Sequence, residues 1–116
     1  MNNFRELVVW QKSINFVVQI YEITKNFPKE EKFNLVSQMQ KAATSIPSNI
    51  AEGAGRNTNN YFKQFLTISI GSAHEVETQI IISKQLGYIN EDNYGKLITE
   101  LTGIQKMLYA LHNSLQ

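Results

Sequence analysis

The sequence predicts an all-α protein, an up-down-up-down antiparallel four-helix bundle in a single domain over residues 1–116. Three observations predict it. Apolar residues recur at alternating spacings of three and four along four long segments, the period of one helix face. The chain has only two prolines, and glycines fall where segments end. The connections left between segments are short, which makes consecutive helices antiparallel neighbours.

In the first helix, Leu7, Trp10, Ile14, Val17, Tyr21 and Thr24 form the stripe expected to face the core. Val9, Phe16, Ile20, Ile23 and Phe27 run beside it as a second stripe. This helix is therefore apolar over more of its circumference than a simple bundle needs, and the extra face calls for a partner. Val9, Phe16, Ile20 and Ile23 are the candidate subunit-interface residues.

Pro28 precedes a strongly helical run and suits a first helical turn. The second helix is expected from about Lys29 to about Gly53, with Val36, Met39, Ala43, Ile46, Ile50 and Ala54 as its core stripe. On another side Gln38, Lys41, Ser45, Asn49, Glu52 and Arg56 share an arc of roughly 80°. Both stripes hold their register through Pro47, which predicts one continuous helix kinked there. A break at Ile46 is the alternative, because a residue before proline is biased away from helical geometry. Gly53 and Gly55 read as the stop.

Thr58 is the expected N-cap of the third helix, which carries Phe62, Phe65, Leu66, Ala73, Val76, Ile80 and Leu86. An interior glycine costs about 1 kcal/mol against alanine, so the run Gly71-Ser72-Ala73 predicts a close helix–helix approach at Gly71. Gly87 ends this helix. Asn90 opens the fourth, where Glu91 and Asp92 suit the positive end of the helix dipole. Tyr94, Leu97, Leu101, Ile104, Leu108, Leu111 and Leu115 make its stripe.

Eleven basic and ten acidic side chains leave a net charge of +1, without the basic excess of a dedicated nucleic-acid binder. The lack of cysteine excludes disulfides and thiolate metal sites and fits a reducing cytoplasm. No run approaches the roughly 18 apolar residues of a membrane span. The opening residues, Met1 to Glu6, lack the pattern of a signal peptide.

Enzyme motifs were weighed and set aside. His74 and His112 complete no Glu-x-x-His pair of a di-iron bundle. His74-Glu75 begins a zinc-protease signature, but Thr78 stands where its second histidine belongs. Gly53-Ala54-Gly55 closes a helix instead of joining a strand to one, and Thr58 replaces the third glycine of a dinucleotide fingerprint. The expectation is a non-enzyme with no cofactor and no metal.

The polar residues then carry whatever function is legible. Glu52 and Arg56, four apart, form an exposed ion pair worth about 0.3–0.5 kcal/mol. With Ser45 and Asn49 they also make a candidate contact surface for a subunit or partner. Lys41, Arg56 and Lys63 are the candidate phosphate contacts. Glu75 and Glu77 read as a solvated face, with Glu75 near enough to the small-residue run to bond a neighbouring helix.

The chain resembles the ribosomal RNA intervening-sequence protein family, small four-helix bundles whose reading frames lie within insertions in bacterial large-subunit ribosomal RNA genes. The matching residues are Leu7-Val8-Val9-Trp10-Gln11-Lys12, Tyr21 to Thr24 and Phe27-Pro28, then the central Gln38 to Arg56. Within that centre Ser45-Ile46-Pro47-Ser48-Asn49-Ile50-Ala51-Glu52-Gly53 and Gly55-Arg56 are the most specific. Phe65-Leu66, Gly71-Ser72, Glu75 and Leu86-Gly87-Tyr88-Ile89 continue the match. The resemblance implies a ring, a homopentamer. It also points to the related accessory variability determinant of diversity-generating retroelements, a pentamer that binds nucleic acid and a reverse transcriptase. Many members carry paired basic residues where this chain has Gln40-Lys41. The expected function is a non-catalytic, ring-forming scaffold with protein partners. The alternative is an accessory protein that contacts RNA or DNA through basic residues on the oligomer.

Overall fold

Four α-helices carry the fold: α1 (Val8–Thr24), α2 (Leu35–Ala54), α3 (Asn59–Gln85) and α4 (Glu91–Ser114). The computed structural model describes residues 3–115; Met1, Asn2 and Gln116, and with them the first residues of the N-terminal stretch read above, lie outside the described residues. Among these residues there is no strand. The 27 residues of α3 span about 40 Å at 1.5 Å per residue, which accounts for the 44 Å long axis of the molecule.

Consecutive helices pack side by side and α4 closes against α1, while among the described residues no Cα atoms of diagonal helices come within 8 Å. Cross-helix contacts give their directions. Ser83 of α3 meets Met39 of α2, and Ser69 meets Ile46, so sequence falls on one helix as it rises on the other. Lys84 pairs with Glu91, Glu77 with Gln105 and His74 with Tyr109, in the same antiparallel sense for α3 and α4. The α1–α4 groove opens at Lys12 and Met107 at one end and at Asn26 and Asn93 at the other.

The helix ends follow local chemistry. Thr58 accepts from the Tyr61 amide at 3.2 Å and Asn90 from the Asn93 amide at 2.8 Å, each satisfying an orphan donor of a first turn. At the end of α3, Gly87 takes a left-handed φ of 81°. Its amide bonds the Lys84 carbonyl at 3.0 Å and the Tyr88 amide bonds the Ser83 carbonyl at 2.9 Å, the double closure that favours glycine at this position.

The α2 core stripe lies where the spacing places it: Val36, Met39, Ala43, Ile46, Ile50 and Ala54 are all buried. The helix runs without interruption through Pro47. It starts later than the sequence suggests. Lys29–Glu31 is a single 3-10 turn, and Asn34 leaves helical geometry at φ −127°, ψ −102°. The Asn34 amide closes the preceding turn on the Glu31 carbonyl at 3.0 Å, and its carboxamide donates to the Glu31 side chain and accepts from that of Gln38 across the break.

Two glycine readings are corrected. Gly71 is exposed on α3, and a Cβ there would meet nothing within 4 Å. The close approach is at Gly53, in the last turn of α2, while Gly55 caps that helix as the sequence reading has it. A Cβ at Gly53 would stand 2.7 Å from Phe65 Cβ and 2.9 Å from Phe62 Cδ1. Ser72 and Ala73, one and two residues past Gly71, are the small residues that face inward.

Candidate functional site

On α1 the second stripe faces inward. Val9, Phe16 and Ile20 are buried in the chain's own core, and Ile23 packs half-buried against it. Val9, Phe16 and Ile20, enclosed in this way, cannot form a subunit surface, which corrects their assignment to one, while Ile23 keeps part of its side chain at the α1–α4 surface. The stripe expected to face the core is divided: Leu7, Trp10 and Val17 pack against the core from its border, while two of its members turn outward. Ile14 and Tyr21 are exposed, joined by Val8 and by Val18 at 56% exposure. Leu7, Trp10 and Val17 are half-buried at the border, and only Thr24 of that stripe is buried.

Ser13 and Thr24 lie on the buried side, where their hydroxyls donate to the Trp10 and Ile20 carbonyls of their own helix, both at 2.8 Å. A hydroxyl satisfied in this way is cheap to bury.

The conspicuous polar arc of α2 divides by position. Ser45 and Asn49 are half-buried at the α2–α3 seam. The Ser45 hydroxyl lies 2.7 Å from that of Ser72, and Asn49 donates to the Ser45 carbonyl and hydroxyl at 2.8 and 2.9 Å. One turn on, Ser69 donates to the Ile46 carbonyl at 2.9 Å. Small side chains here let the two backbones approach, and their hydroxyls bond across the gap. Most of the hydrogen-bonding capacity of Ser45 and Asn49 is therefore used inside the chain.

Glu52 accepts from Arg56 at 2.8 Å, and the Arg56 guanidinium lies 5.1 Å from the Phe65 ring centroid. Lys41 is exposed, with no carboxylate within 4.0 Å among the described residues. Arg56 follows it by 15 positions, about 22 Å along a helix, and Lys63 is half-buried on the next helix. The structure does not bring Lys41, Arg56 and Lys63 together as one patch.

Between α3 and α4, His74 Nε2 stands 3.2 Å from the Tyr109 hydroxyl and His74 Nδ1 3.7 Å from Glu77. Glu77 accepts from Gln105 at 2.8 Å. It thus bonds the neighbouring helix, while Glu75, the acid expected to be able to do so, is exposed beside the α2–α3 groove. Among the described residues no group of three or more metal-ligating side chains forms a cluster, and no helix is long and apolar enough to cross a membrane.

One surface feature was not legible in the sequence. A groove of about 520 Å³ opens at the α1–α2 connection, walled by Tyr21, Phe27, Phe33 and Val36 and rimmed by Lys25, Lys29 and Lys32. Phe33 is 88% exposed, and the Lys32 ammonium lies 5.3 Å from its ring centroid. Three residues before Val36, Phe33 has the spacing of a core position; the break at Asn34 swings it outward. On the inner side, Phe27 meets Tyr88 with ring centroids 5.2 Å apart, and the Tyr88 hydroxyl donates to Glu31 at 2.9 Å.

Comparison with known proteins agrees with this architecture. A crystal structure of a protein of unknown function from the S23 ribosomal protein family of Bacteroides thetaiotaomicron VPI-5482 superposes with a TM-score of 0.84 at 29% identity, over 91% of this chain and 96% of that one. Among curated proteins none matches at a significant level. The sequence model of the family described as 23S rRNA-intervening sequence protein matches residues 5–110. With α1, α2, α3 and most of α4 in that span, and the Ser45–Arg56 segment within it, the chain belongs to the 23S rRNA-intervening sequence protein family.

Proposed function

We propose that the protein is a non-catalytic subunit of a homo-oligomeric ring, a scaffold that presents the same face several times to a partner. The observation that carries the reading is the outer face of α1. Ile14, Val18 and Tyr21 remain exposed after Val9, Phe16 and Ile20 have filled the core. Beside them α2 offers the small or short polar residues Thr44, Ser48 and Ala51. A contiguous apolar strip beside a shallow one is a surface that favours association. Light scattering with size exclusion tests it: the expected mass is a multiple of 13.3 kDa, five-fold for a pentamer. Val18→Asp should lower that mass while leaving helix content unchanged. A wild-type monomer at micromolar concentration would overturn the proposal.

A second reading, contact with RNA or DNA, draws on Lys41, exposed and with no carboxylate within 4.0 Å among the described residues, though Glu75 lines the same α2–α3 groove. A ring would repeat that cation and add avidity to weak contacts. Arg56 contributes less, because Glu52 already neutralises it. Anisotropy of a structured RNA at low and physiological salt tests this reading, since phosphate contacts weaken steeply with salt. Absence of binding at low salt would remove it.

A further inference from the structure

We infer that Tyr109 is a covalent acceptor site, a phenol that takes an acyl group from an activated acyl donor with His74 as its general base. The inference uses none of the residues of the oligomeric reading. A nucleophile of this kind needs a base within hydrogen-bond reach and a third group that orients the base. The α3–α4 seam supplies all three. His74 Nε2 lies 3.2 Å from the Tyr109 hydroxyl, and His74 Nδ1 lies 3.7 Å from the Glu77 carboxylate. Glu77 is held in turn by Gln105, which donates to it at 2.8 Å.

The two ring nitrogens of a neutral imidazole differ, one donating and the other accepting. A carboxylate beside Nδ1 draws the proton to that nitrogen, which leaves Nε2 as the acceptor for the Tyr109 hydroxyl. The phenol then donates to the very base that removes its proton. In the reaction the Tyr109 oxygen bonds the carbonyl carbon of the donor. The bond from that carbon to the leaving group breaks, and the phenol proton passes through His74 Nε2 to the leaving group. The acyl group stays on Tyr109, whose oxygen can no longer donate across the seam, and one link between α3 and α4 is lost with it.

The other tyrosines isolate the effect of the base. Tyr21, Tyr61 and Tyr109 are exposed to a similar degree, 44%, 51% and 46%, so access alone gives them similar rates. Among the described residues only the Tyr109 hydroxyl meets an imidazole. Tyr88 also has an acceptor, Glu31, but it is half-buried against Phe27. Tyr94 is half-buried against the Lys84 ammonium. His112 stands one turn past Tyr109 on α4, and among the described residues it makes no hydrogen bond to that hydroxyl.

Acetylation of the full chain by N-acetylimidazole at about pH 8, where imidazoles are neutral, tests the assignment, with the initial rate at each tyrosine read by peptide mass spectrometry. Tyr109 should react about tenfold faster than Tyr61. That is less than a positioned base supplies in an enclosed active site, because this pair is open to water. His74→Gln should bring Tyr109 down to the rate of Tyr61, and His112→Gln should leave it fast. Glu77 is a positioning residue. Glu77→Gln should move the His74 proton from Nδ1 to Nε2, read from the nitrogen NMR shifts of the ring, and slow Tyr109 without changing Tyr61. Circular dichroism checks the helix content of each variant, and the comparison of Tyr109 with Tyr61 in the wild-type chain needs no variant at all. A Tyr109 that reacts no faster than Tyr61 would overturn the inference. So would a fast Tyr109 that His74→Gln leaves fast.

Discussion

Replacing Gly53 by alanine should destabilise the protein, although alanine is the better helix former. The gain from removing a glycine inside α2 is about 1 kcal/mol. Against it, the new Cβ would stand 2.7 Å from Phe65 Cβ, 2.9 Å from Phe62 Cδ1 and 3.3 Å from the Phe62 carbonyl oxygen. The Phe62 ring can turn aside. Phe65 Cβ cannot, because it is fixed to the α3 backbone, so α2 and α3 must move apart where they are closest. Overpacking costs about 1–3 kcal/mol, and a clash with a backbone-bound carbon belongs at the upper end. The net loss is then about 1–2 kcal/mol. Gly71→Ala supplies the control, since nothing lies within 4 Å of that position and only the gain of up to about 1 kcal/mol remains. Urea unfolding followed by circular dichroism reads both, at one protein concentration because association would itself stabilise the fold. A Gly53→Ala protein as stable as wild type would refute the close approach.

Phe16→Ala should cost about 3–5 kcal/mol as a large-to-small change in an enclosed site, whereas Val18→Ala, two positions along on the outer face, should leave chain stability nearly unchanged; urea midpoints distinguish them, and equal costs would contradict the assignment of the two α1 faces. Tyr88 is held above its ordinary value of 10.0, first by its hydrogen bond to Glu31, then by burial and by the Glu31 and Glu30 charges. A raised folded-state value stabilises fully below the unfolded value and is lost as pH rises through the folded one. Wild type should therefore lose stability above pH 10 more steeply than Tyr88→Phe, and coincident pH profiles would exclude the coupling.

How much was legible depends on what set each feature. Thr58, Asn90 and Gly87 act through their own backbone neighbourhood, so the positions of α3 and α4 could be read from three residues. The α2 stripe from Val36 to Ala54 kept its period through Pro47 and was equally plain. Gly53 and Gly71 show the opposite case. Each is a glycine in a run of small residues, and a helix breaker near a predicted end reads as a stop. Which one packs depends on the rotation of α2 against α3, a property of the pair that neither local segment contains. Asn34 is a related case: its backbone leaves helical geometry between the short turn and α2, and the outcome sends Phe33 outward against its own spacing.

The α1 stripes carry the argument furthest. Both are apolar, but the stripe of Val9, Phe16, Ile20, Ile23 and Phe27 is the more so, whereas the other carries Trp10, Tyr21 and Thr24. Ser13 and Thr24 lie on the buried side even so; their hydroxyls return to the helix backbone and ask nothing of solvent. Volume points the same way. Phe16 and Ile20, with Met39, Ile46, Leu66, Ile80, Leu101 and Leu108, are fully enclosed, and an interior filled by these side chains has no room for a second face of α1. A face that is apolar, continuous and surplus to the core is best covered by another molecule. The extra stripe inferred from the sequence is therefore real, but it consists of Ile14, Val18 and Tyr21, and any assay of assembly must be aimed there.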